Sequence, residues 1–587
     1  MRVAVLNKKK CLAPKKCDYI CRKFCPRVRA GDETITISEE DKKPIIDEKT
    51  CIGCNFCVSK CPFEAISIVN LPDEFGKKCV HQFSKNGFRL YNFPIPTLNS
   101  IVGILGTNGI GKSTAIKILS NELQANLGNY EKGESEEAVI NFFNGTEAQS
   151  YFEKLFDKKI KASVKPQYIE QLPVIFDGKV IDLLKNIETE ENFDKVVDLL
   201  EIRKILNRSI DNISGGELQR TAIAAAVLKK AEMIFFDEPS SYLDIKQRLK
   251  IAKFVREFSE KKQHTFVVEH DLVMLDYMTD VIHIFFGKKG AYGIVSMPYN
   301  TRVAINAFLD GYLKTENMRF RSEALKFEEK APTDYEKKNI ISSWQDFKIT
   351  LGDFNLDVLK GDIKEKEIIG IIGPNGIGKT TFVKALAGII PCDKIDKKVK
   401  ISYKPQYIQI KEDVLVRSLF AGKDNFGSQW FLEQVLIPLE ADKLLDKMVS
   451  TLSGGELQCV AIALCLSNNA DIYIFDEPSA HLDVEKRIDT ARIIKKVMKQ
   501  KSASCFVVDH DLMLIDYIAE KLLVFSGESS IKGKTNGPME MREGMNLFLK
   551  EIGISFRRDK ETKRPRANKE GSQKHEEQVE KGEYYYE

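Results

Sequence analysis

Apolar runs of strand length, each closing on glycine or on an acidic pair, punctuate this chain in matching sets. Ile101 to Leu105 and Ile368 to Ile372 are unbroken apolar stretches that lead into Gly-rich loops, and each loop opens a helical pattern. Met233 to Phe236 and Ile472 to Phe475 end in Asp-Glu, and Val267-Val268 and Val507-Val508 end in an acid followed by histidine. Continuous apolar strands alternating with helices predict an α/β fold. Between Gly133 and Lys161, Ala138 to Asn144 and Gln149 to Phe156 flank Gly145-Thr146, which predicts two short amphipathic helices joined by a turn. No apolar run approaches the roughly 18 residues that a membrane span needs.

With 587 residues, 43% hydrophobic and 30% charged, the chain suits about three to four globular domains. The start, Met1 to Lys10, lacks a signal-peptide apolar segment, so a cytoplasmic protein without a membrane partner is expected. A net charge of +4 is too small to argue for nucleic acid by itself. Thirteen cysteines are more informative, because nine of them fall between Cys11 and Cys79. That clustering points to metal ligation, not disulfides.

Cys51, Cys54, Cys57 and Cys61-Pro62 follow the spacing in which three thiolates hold one [4Fe–4S] cluster and the fourth reaches a second. Ahead of them Cys11, Cys17, Cys21 and Cys25-Pro26 form a looser run with the same ending. Crossed ligation follows: Cys11, Cys17, Cys21 and Cys61 on one cluster, and Cys51, Cys54, Cys57 and Cys25 on the other. A pair of four-thiolate zinc sites is the alternative. Cys79 reads as a buried thiol. Lysines and arginines from Lys8 to Arg29 surround the run, as a solvated basic face or as a phosphate-backbone contact.

The Gly-rich loops are Gly106-Thr-Asn108-Gly109-Ile-Gly111-Lys112-Ser113-Thr114 and Gly373-Pro-Asn375-Gly376-Ile-Gly378-Lys379-Thr380-Thr381. Strand, glycine loop and helix together make a phosphate cradle. Backbone N–H groups close around the anion, Lys112 or Lys379 reaches the β/γ-phosphates, and Ser113 or Thr380 ligands Mg²⁺. Further matches follow in the same order: Gln167 and Gln406, Ser214-Gly215-Gly216-Glu217 and Ser453-Gly454-Gly455-Glu456, Asp237-Glu238 and Asp476-Glu477, Asp244 and Asp483, His270 and His510. Each unit is too long for a solenoid repeat, so two complete ATP-binding domains are expected. Asp237 and Asp476 would hold Mg²⁺, Glu238 and Glu477 would polarise the attacking water, and Gln167 and Gln406 would watch metal and water. His270 and His510 would meet the γ-phosphate. Ser-Gly-Gly-Glu is a second anion cradle, whose natural use is to close over the other domain's ATP.

This series resembles the ABC ATPase superfamily. Twin cassettes behind a two-cluster domain, with Cys61-Pro-Phe-Glu-Ala-Ile-Ser-Ile-Val-Asn-Leu-Pro72, Pro-Ser-Ser-Tyr-Leu-Asp244 and Ser555-Phe-Arg-Arg-Asp559, resemble the ABC-E class, the RNase L inhibitor family of ribosome recycling ATPases, in an archaeal-like form. The resemblance implies two P-loop ABC-type nucleotide-binding domains in tandem, preceded by a small α+β ferredoxin-like two-cluster iron-sulfur domain. It implies a monomer that binds two ATPs with Mg²⁺, splits terminated or stalled ribosomes beside a release-factor or Pelota-like protein, and stays on the small subunit. The first cysteine gap is one residue longer than the family's. Cys459 replaces the first half's Arg220, His481 its Tyr242 and Asp509 its Glu269.

Ser214 to Ser453 and Gln167 to Gln406 each span 239 residues, but Gly106 to Gly373 spans 267, so 28 extra residues lie in the first half. They fall around 133–161 and resemble the family's helix-loop-helix, which would face ribosomal RNA. The expected division is 1–74 for the iron-sulfur domain, 75–296 for the first cassette, 297–325 for a hinge, 326–541 for the second cassette and 542–587 for a hinge segment and mobile tail. Arg302, Arg319 and Arg321 match Arg557, Arg558, Arg564 and Arg566 as hinge arginines. Phe83 and Phe88 are candidates for stacking on adenine or for the core, and Trp344 is a weaker candidate in the second cassette. The iron-sulfur domain, tethered at Asn70-Leu-Pro72, would act as a lever. Against ribosome recycling stand a transporter ATPase, an electron carrier, and another ribosome-binding translation or biogenesis factor.

Overall fold

The computed structural model describes residues 2–70, 78–187, 192–259, 264–321, 324–325, 327, 339–396, 399–406 and 413–585. They form two compact units: Met1–Pro239 with Arg256–Glu269 and Thr279–Ser322, and Ser240–Val255 with His270–Met278 and Glu323–Glu587. The Leu-Pro part of the expected tether lies outside the described residues.

In the first unit one sheet runs, edge to edge, through Cys79–Gln82, Arg89–Tyr91, Tyr292–Val295, Val281–Lys288, Ile101–Gly106, His264–Val268, Met233–Asp237 and Ala162–Lys165. The P-loop strand lies centrally, parallel to both neighbours. Its residues are buried throughout, as a strand covered on both faces requires. The second unit repeats this order through Phe347–Leu351, Phe354–Val358, Lys532–Glu540, Lys521–Glu528, Ile368–Ile372, Ser504–Val508, Ile472–Asp476 and Ile401–Lys404. A parallel sheet delivers its loops at the carboxyl ends of the strands, which is where both Gly-rich loops and both Asp-Glu pairs stand.

Helices Glu136–Phe142 and Glu147–Phe156 occupy the 28-residue excess of the first half. Ser135 caps the first of them by accepting from the Ala138 N–H at 3.1 Å. Ala148, Tyr151, Phe152 and Leu155, spaced for one helical face, are buried in the first core with Val139 and Phe143. The outward positions include Glu136, Glu137, Glu147 and Glu153, while Lys154, Lys158, Lys159 and Lys161 gather at the far end.

The cysteine-rich start is α+β in make-up: Arg2–Leu6 pairs antiparallel with Ile66–Asn70, Ile35–Ile37 with Pro44–Ile46, and short helices carry Cys21 and Cys57. Buried Asn86 fastens this layer to the rest of its unit. Its amide nitrogen donates to the carbonyls of Ala4 (2.9 Å) and Ile46 (3.0 Å), and its amide oxygen accepts from the Ile46 N–H at 2.8 Å.

Gly571 to Tyr585 are not the mobile tail expected from their polarity. Gln573–Lys581 is a helix capped by Ser572, and Tyr585 is 1% exposed, with its hydroxyl on Asp516 and accepting from Arg558. One aromatic anchor and a buried carboxylate hold a segment that composition alone reads as solvated. The second unit also takes in Ser240–Val255 and His270–Met278, across the expected boundary. Asp276 shows why: it receives Arg564 at 3.0 Å and Arg566 at 2.7 Å, and Arg564 is fully buried.

Candidate nucleotide and cluster sites

Each P-loop helix begins at a glycine in the left-handed region, Gly111 (φ 98°) and Gly378 (φ 96°). A Cβ at Gly111 would stand 2.9 Å from the Phe88 ring, and one at Gly378 would stand 3.0 Å from Phe354, so an aromatic ring lies against each loop. Lys112 donates to the carbonyls of Gly106 (2.6 Å) and Thr107 (3.2 Å) and stands 3.4 Å from Asn108 Oδ1. Lys379 donates to the carbonyls of Gly373 (2.8 Å) and Pro374 (2.5 Å). Burial pulls Lys379 down to about 8. An ammonium held among backbone carbonyls in a dry pocket is ready to exchange them for phosphate oxygens.

Glu238 and Glu477 both sit at φ 50°, a strained conformation for glutamate. Gln167 donates to Glu238 Oε1 at 2.7 Å, and Gln406 to Glu477 Oε1 at 2.8 Å. The sequence reading missed two further clamps. Lys165 donates to the backbone carbonyls of Asp237 (2.8 Å) and Glu238 (3.2 Å), as Lys404 does to Asp476 (2.8 Å) and Glu477 (3.1 Å). Gln219 and Gln458 reach the same glutamate carbonyls at 2.8 and 2.6 Å. The signal was available, since Lys-Pro-Gln-Tyr-Ile occurs in both halves.

Burial raises Asp237 to about 6, with Glu238 adding to it, and raises Asp476 and Glu477 as well. Thr380 follows Lys379 on the first turn of its helix, and Asp476 is buried with the Tyr403 hydroxyl 3.4 Å from its carboxylate; Ser113 is exposed on the first turn after Lys112. His510 Nε2 stands 3.6 Å from Glu477 Oε1, and burial holds its imidazole well below the usual histidine range, so it is neutral near pH 7. Asp244 and His270 belong to the second unit, where Asp244 accepts from the Asn375 backbone N–H at 3.0 Å. Asp483 caps the following helix by accepting from the Lys486 N–H at 3.1 Å.

The two signatures differ in detail from a bare cradle. Ser214 and Ser453 each close a capping box, and the hydroxyl donates to Glu217 (2.8 Å) or Glu456 (3.0 Å). An incoming anion must draw that hydroxyl away from the carboxylate, leaving the Gly215-Gly216 and Gly454-Gly455 backbone as the standing donors. Phe83 is exposed beside Phe88, with ring centroids 6.4 Å apart. Trp344 is a core residue instead, 3% exposed with its indole on the Leu359 carbonyl.

Cys11, Cys21, Cys25, Cys51 and Cys57 are buried together, with Cys17 and Cys61 packed against them. Cys21 has Cys17, Cys61 and Cys11 as electrostatic neighbours, and Cys57 has Cys51, Cys21, Cys54 and Cys25. Eight thiols, none in a disulfide, gather in this one layer and offer the soft donors that iron-sulfur ligation uses, while among the described residues no three such side chains are grouped closely enough to hold a metal ion. Cys79 is buried apart from them.

Duplicated P-loop sheets with paired Asp-Glu strand ends define a tandem ABC-type ATPase carrying an iron-sulfur layer. The model of the ABC transporter family matches residues 95–241 and 356–480, the 4Fe-4S binding domain matches 44–67, and the possible Fer4-like domain in RNase L inhibitor, RLI, matches 1–33. ATP and 4Fe–4S are thereby its cofactors. The chain is 51% identical to an ABC transporter ATP-binding protein of Methanocaldococcus jannaschii, 41% to ABC transporter E family member 1 of Arabidopsis thaliana and 41% to translation initiation factor RLI1 of Saccharomyces cerevisiae, covering 100% of this chain and 98% of each. Its structure matches that of ABCE1 in a model of ribosome-bound archaeal Pelota and ABCE1, with TM-score 0.94 and 48% identity over 100% of this chain and 99% of that one. It also matches archaeal ribosome recycling factor aABCE1 in complex with ribosomal stalk protein aP1, with TM-score 0.83 and 48% identity over 87% and 99%. The chain belongs to the ABC-E, or RNase L inhibitor, family. Among the described residues no helix is long and apolar enough to cross a membrane.

Proposed function

We propose that this chain is a cytoplasmic, ATP-driven ribosome recycling factor that parts ribosomal subunits beside a Pelota-like or release-factor partner and remains on the small subunit. The full-length likeness to ribosome-bound archaeal ABCE1 carries this reading. The duplicated Gln–Glu pairs supply its chemistry. Each glutamine amide holds one carboxylate oxygen of the glutamate that would polarise the attacking water. Burial raises Glu477 and so strengthens it as a base. Neutral His510 offers a hydrogen bond, not a charge, to the γ-phosphate. Mg²⁺ held by Thr380 and Asp476, or by Ser113 and Asp237, would offset the phosphate charge. Each signature serves the other cassette's ATP, so that closure and hydrolysis are coupled.

Two clusters complete the reading, one on Cys11, Cys17, Cys21 and Cys61 and the other on Cys25, Cys51, Cys54 and Cys57. They stiffen a layer that Asn86 docks, and the work of closure requires that dock to be loaded. Lys154, Lys158, Lys159 and Lys161, at one end of the helical insert, are the residues proposed to meet ribosomal RNA. Co-sedimentation with small subunits tests the function: binding should require a non-hydrolysable ATP analogue and should fall steeply with salt. Binding that ignored nucleotide would overturn it. Anaerobically purified protein should carry about eight irons, and Cys57→Ser about four; stoichiometric zinc would reject the clusters.

A further inference from the structure

The turn between the second Asp-Glu pair and helix Val484–Lys501 carries a residue that the hydrolytic reading leaves unused. At the 239-residue offset His481 replaces Tyr242, and both take the left-handed backbone, φ 62° and φ 65°. A side chain kept in that conformation in both cassettes is held there by its surroundings. The main chain around His481 is pinned. Asp509 accepts from the Ser479 N–H at 3.0 Å and from its hydroxyl at 2.7 Å, Arg487 Nε donates to the Leu482 carbonyl at 2.8 Å, and Asp483 caps the following helix. The ring is left open: His481 is exposed, and among the described residues its imidazole has no hydrogen bond or ion pair.

That ring lies on the second signature. A Cβ built on Gly454 would stand 3.3 Å from the His481 Cγ and 3.6 Å from its Nδ1, and one on Gly455 would meet the His481 carbonyl oxygen at 2.9 Å. Bare glycines thus let the turn close over the first two residues of helix Gly454–Leu466, the N–H groups of the anion cradle. An imidazole open to solvent therefore borders the cradle, where the first cassette has a phenol, a group that stays neutral near pH 7.

We infer that His481 is a phosphate-binding residue of the second signature: its imidazole takes up a proton as the ATP phosphates seat on Ser453, Gly454 and Gly455, so that closure by this cassette tightens in acid. The inference rests on the reading that each signature receives the other cassette's ATP. Charged groups on the segments packed here are Glu456, paired with Lys447 at 2.9 Å, Glu477, held by Gln406 at 2.8 Å, Arg487, paired with Asp511 at 3.1 Å, and the bonded Asp483 and Asp509. They act on the imidazole with and without nucleotide, so the difference between the two states comes from the triphosphate, which arrives only on binding. An added anion raises the pKa of the bound imidazole above that of the free one. The gain is complete in acid and is lost as pH rises through the bound-state value.

A non-hydrolysable ATP analogue with Mg²⁺, titrated calorimetrically into full-length, cluster-loaded protein carrying Lys379→Ala, reads the site on Lys112. Buffers of low and high ionisation heat near pH 7 count the protons taken up. With His481 in place the uptake should exceed that of His481→Gln and of His481→Tyr. Relative to His481→Gln, affinity should rise roughly sixfold between about pH 8 and about pH 6 for a one-unit shift. Ser453→Arg should weaken the analogue in every background. Equal proton uptake and parallel pH profiles, with that weakening intact, would overturn the proposal alone. An affinity that ignored Ser453→Arg would overturn the signature reading and this proposal with it.

Discussion

The two nucleotide sites share their hydrolytic parts and differ in the walls around them. Lysine on loop carbonyls, glutamine on a strained glutamate and a buried lysine beneath the Asp-Glu carbonyls occur in both. Beside the first loop, however, Phe83 pairs across strands with Phe88, whereas beside the second Leu351 pairs with Phe354; each outer residue is exposed. Next to the P-loop strand, His283 stands opposite Ile104 in the first sheet, and Leu523 stands opposite Ile371 in the second. Chemistry held identical on different surroundings implies equal hydrolysis with unequal affinity and unequal response to acid.

Replacing the glutamates should have the largest effect. Glu238→Gln and Glu477→Gln should each slow hydrolysis at their own site by about two to four decades in single-turnover assays. A near-parental rate in one variant alone would end the equivalence of the two sites.

Acid should separate the sheets next. His283 is fully buried, its Nδ1 on the Ser296 carbonyl at 2.8 Å and its Nε2 accepting from the Ile95 N–H at 3.1 Å. Burial holds it at about 4, below the ordinary 6.5. The unfolded chain therefore takes up the proton first, so this contribution is complete above about pH 6.5 and is lost as pH falls toward 4. The loss should approach about 3 kcal/mol. Amide exchange in Val281–Lys288, corrected for intrinsic pH dependence, should speed up between pH 7 and 5 more than in Lys521–Glu528. Equal change in both would reject this source of acid sensitivity.

The affinity difference is the smallest. Phe83→Ala should weaken ATP at the first site about tenfold, and Leu351→Phe should tighten the second by a similar factor, if the exposed side chain stacks on adenine. Titration with a fluorescent ATP analogue, the other site silenced by Lys112→Ala or Lys379→Ala, reads both. No change in either would return Phe83 to a surface role.

What could be read from the chain was whatever is local. A P-loop needs its glycines and lysine within nine consecutive residues, and Asp-Glu at the end of an apolar run places itself. The Gly145 turn between two amphipathic patterns was equally plain. Long-range partners were not readable. Nothing near Tyr585 announces that Asp516 and Arg558 will bury it, and Trp344 looks like a stacking residue until Leu359 takes its indole. The sequence places Ser214 and Ser453 in an anion cradle, and Glu217 and Glu456, three residues on, also spell the capping box that engages their hydroxyls.

Splitting itself tests the central claim most directly. Ribosomes incubated with the full chain and a Pelota-like factor should part into subunits on a sucrose gradient with ATP and remain joined with ADP, and the Glu238→Gln, Glu477→Gln double variant should fail to turn over. Ribosomes that stay joined with ATP, or that part equally well with ADP, would contradict the account.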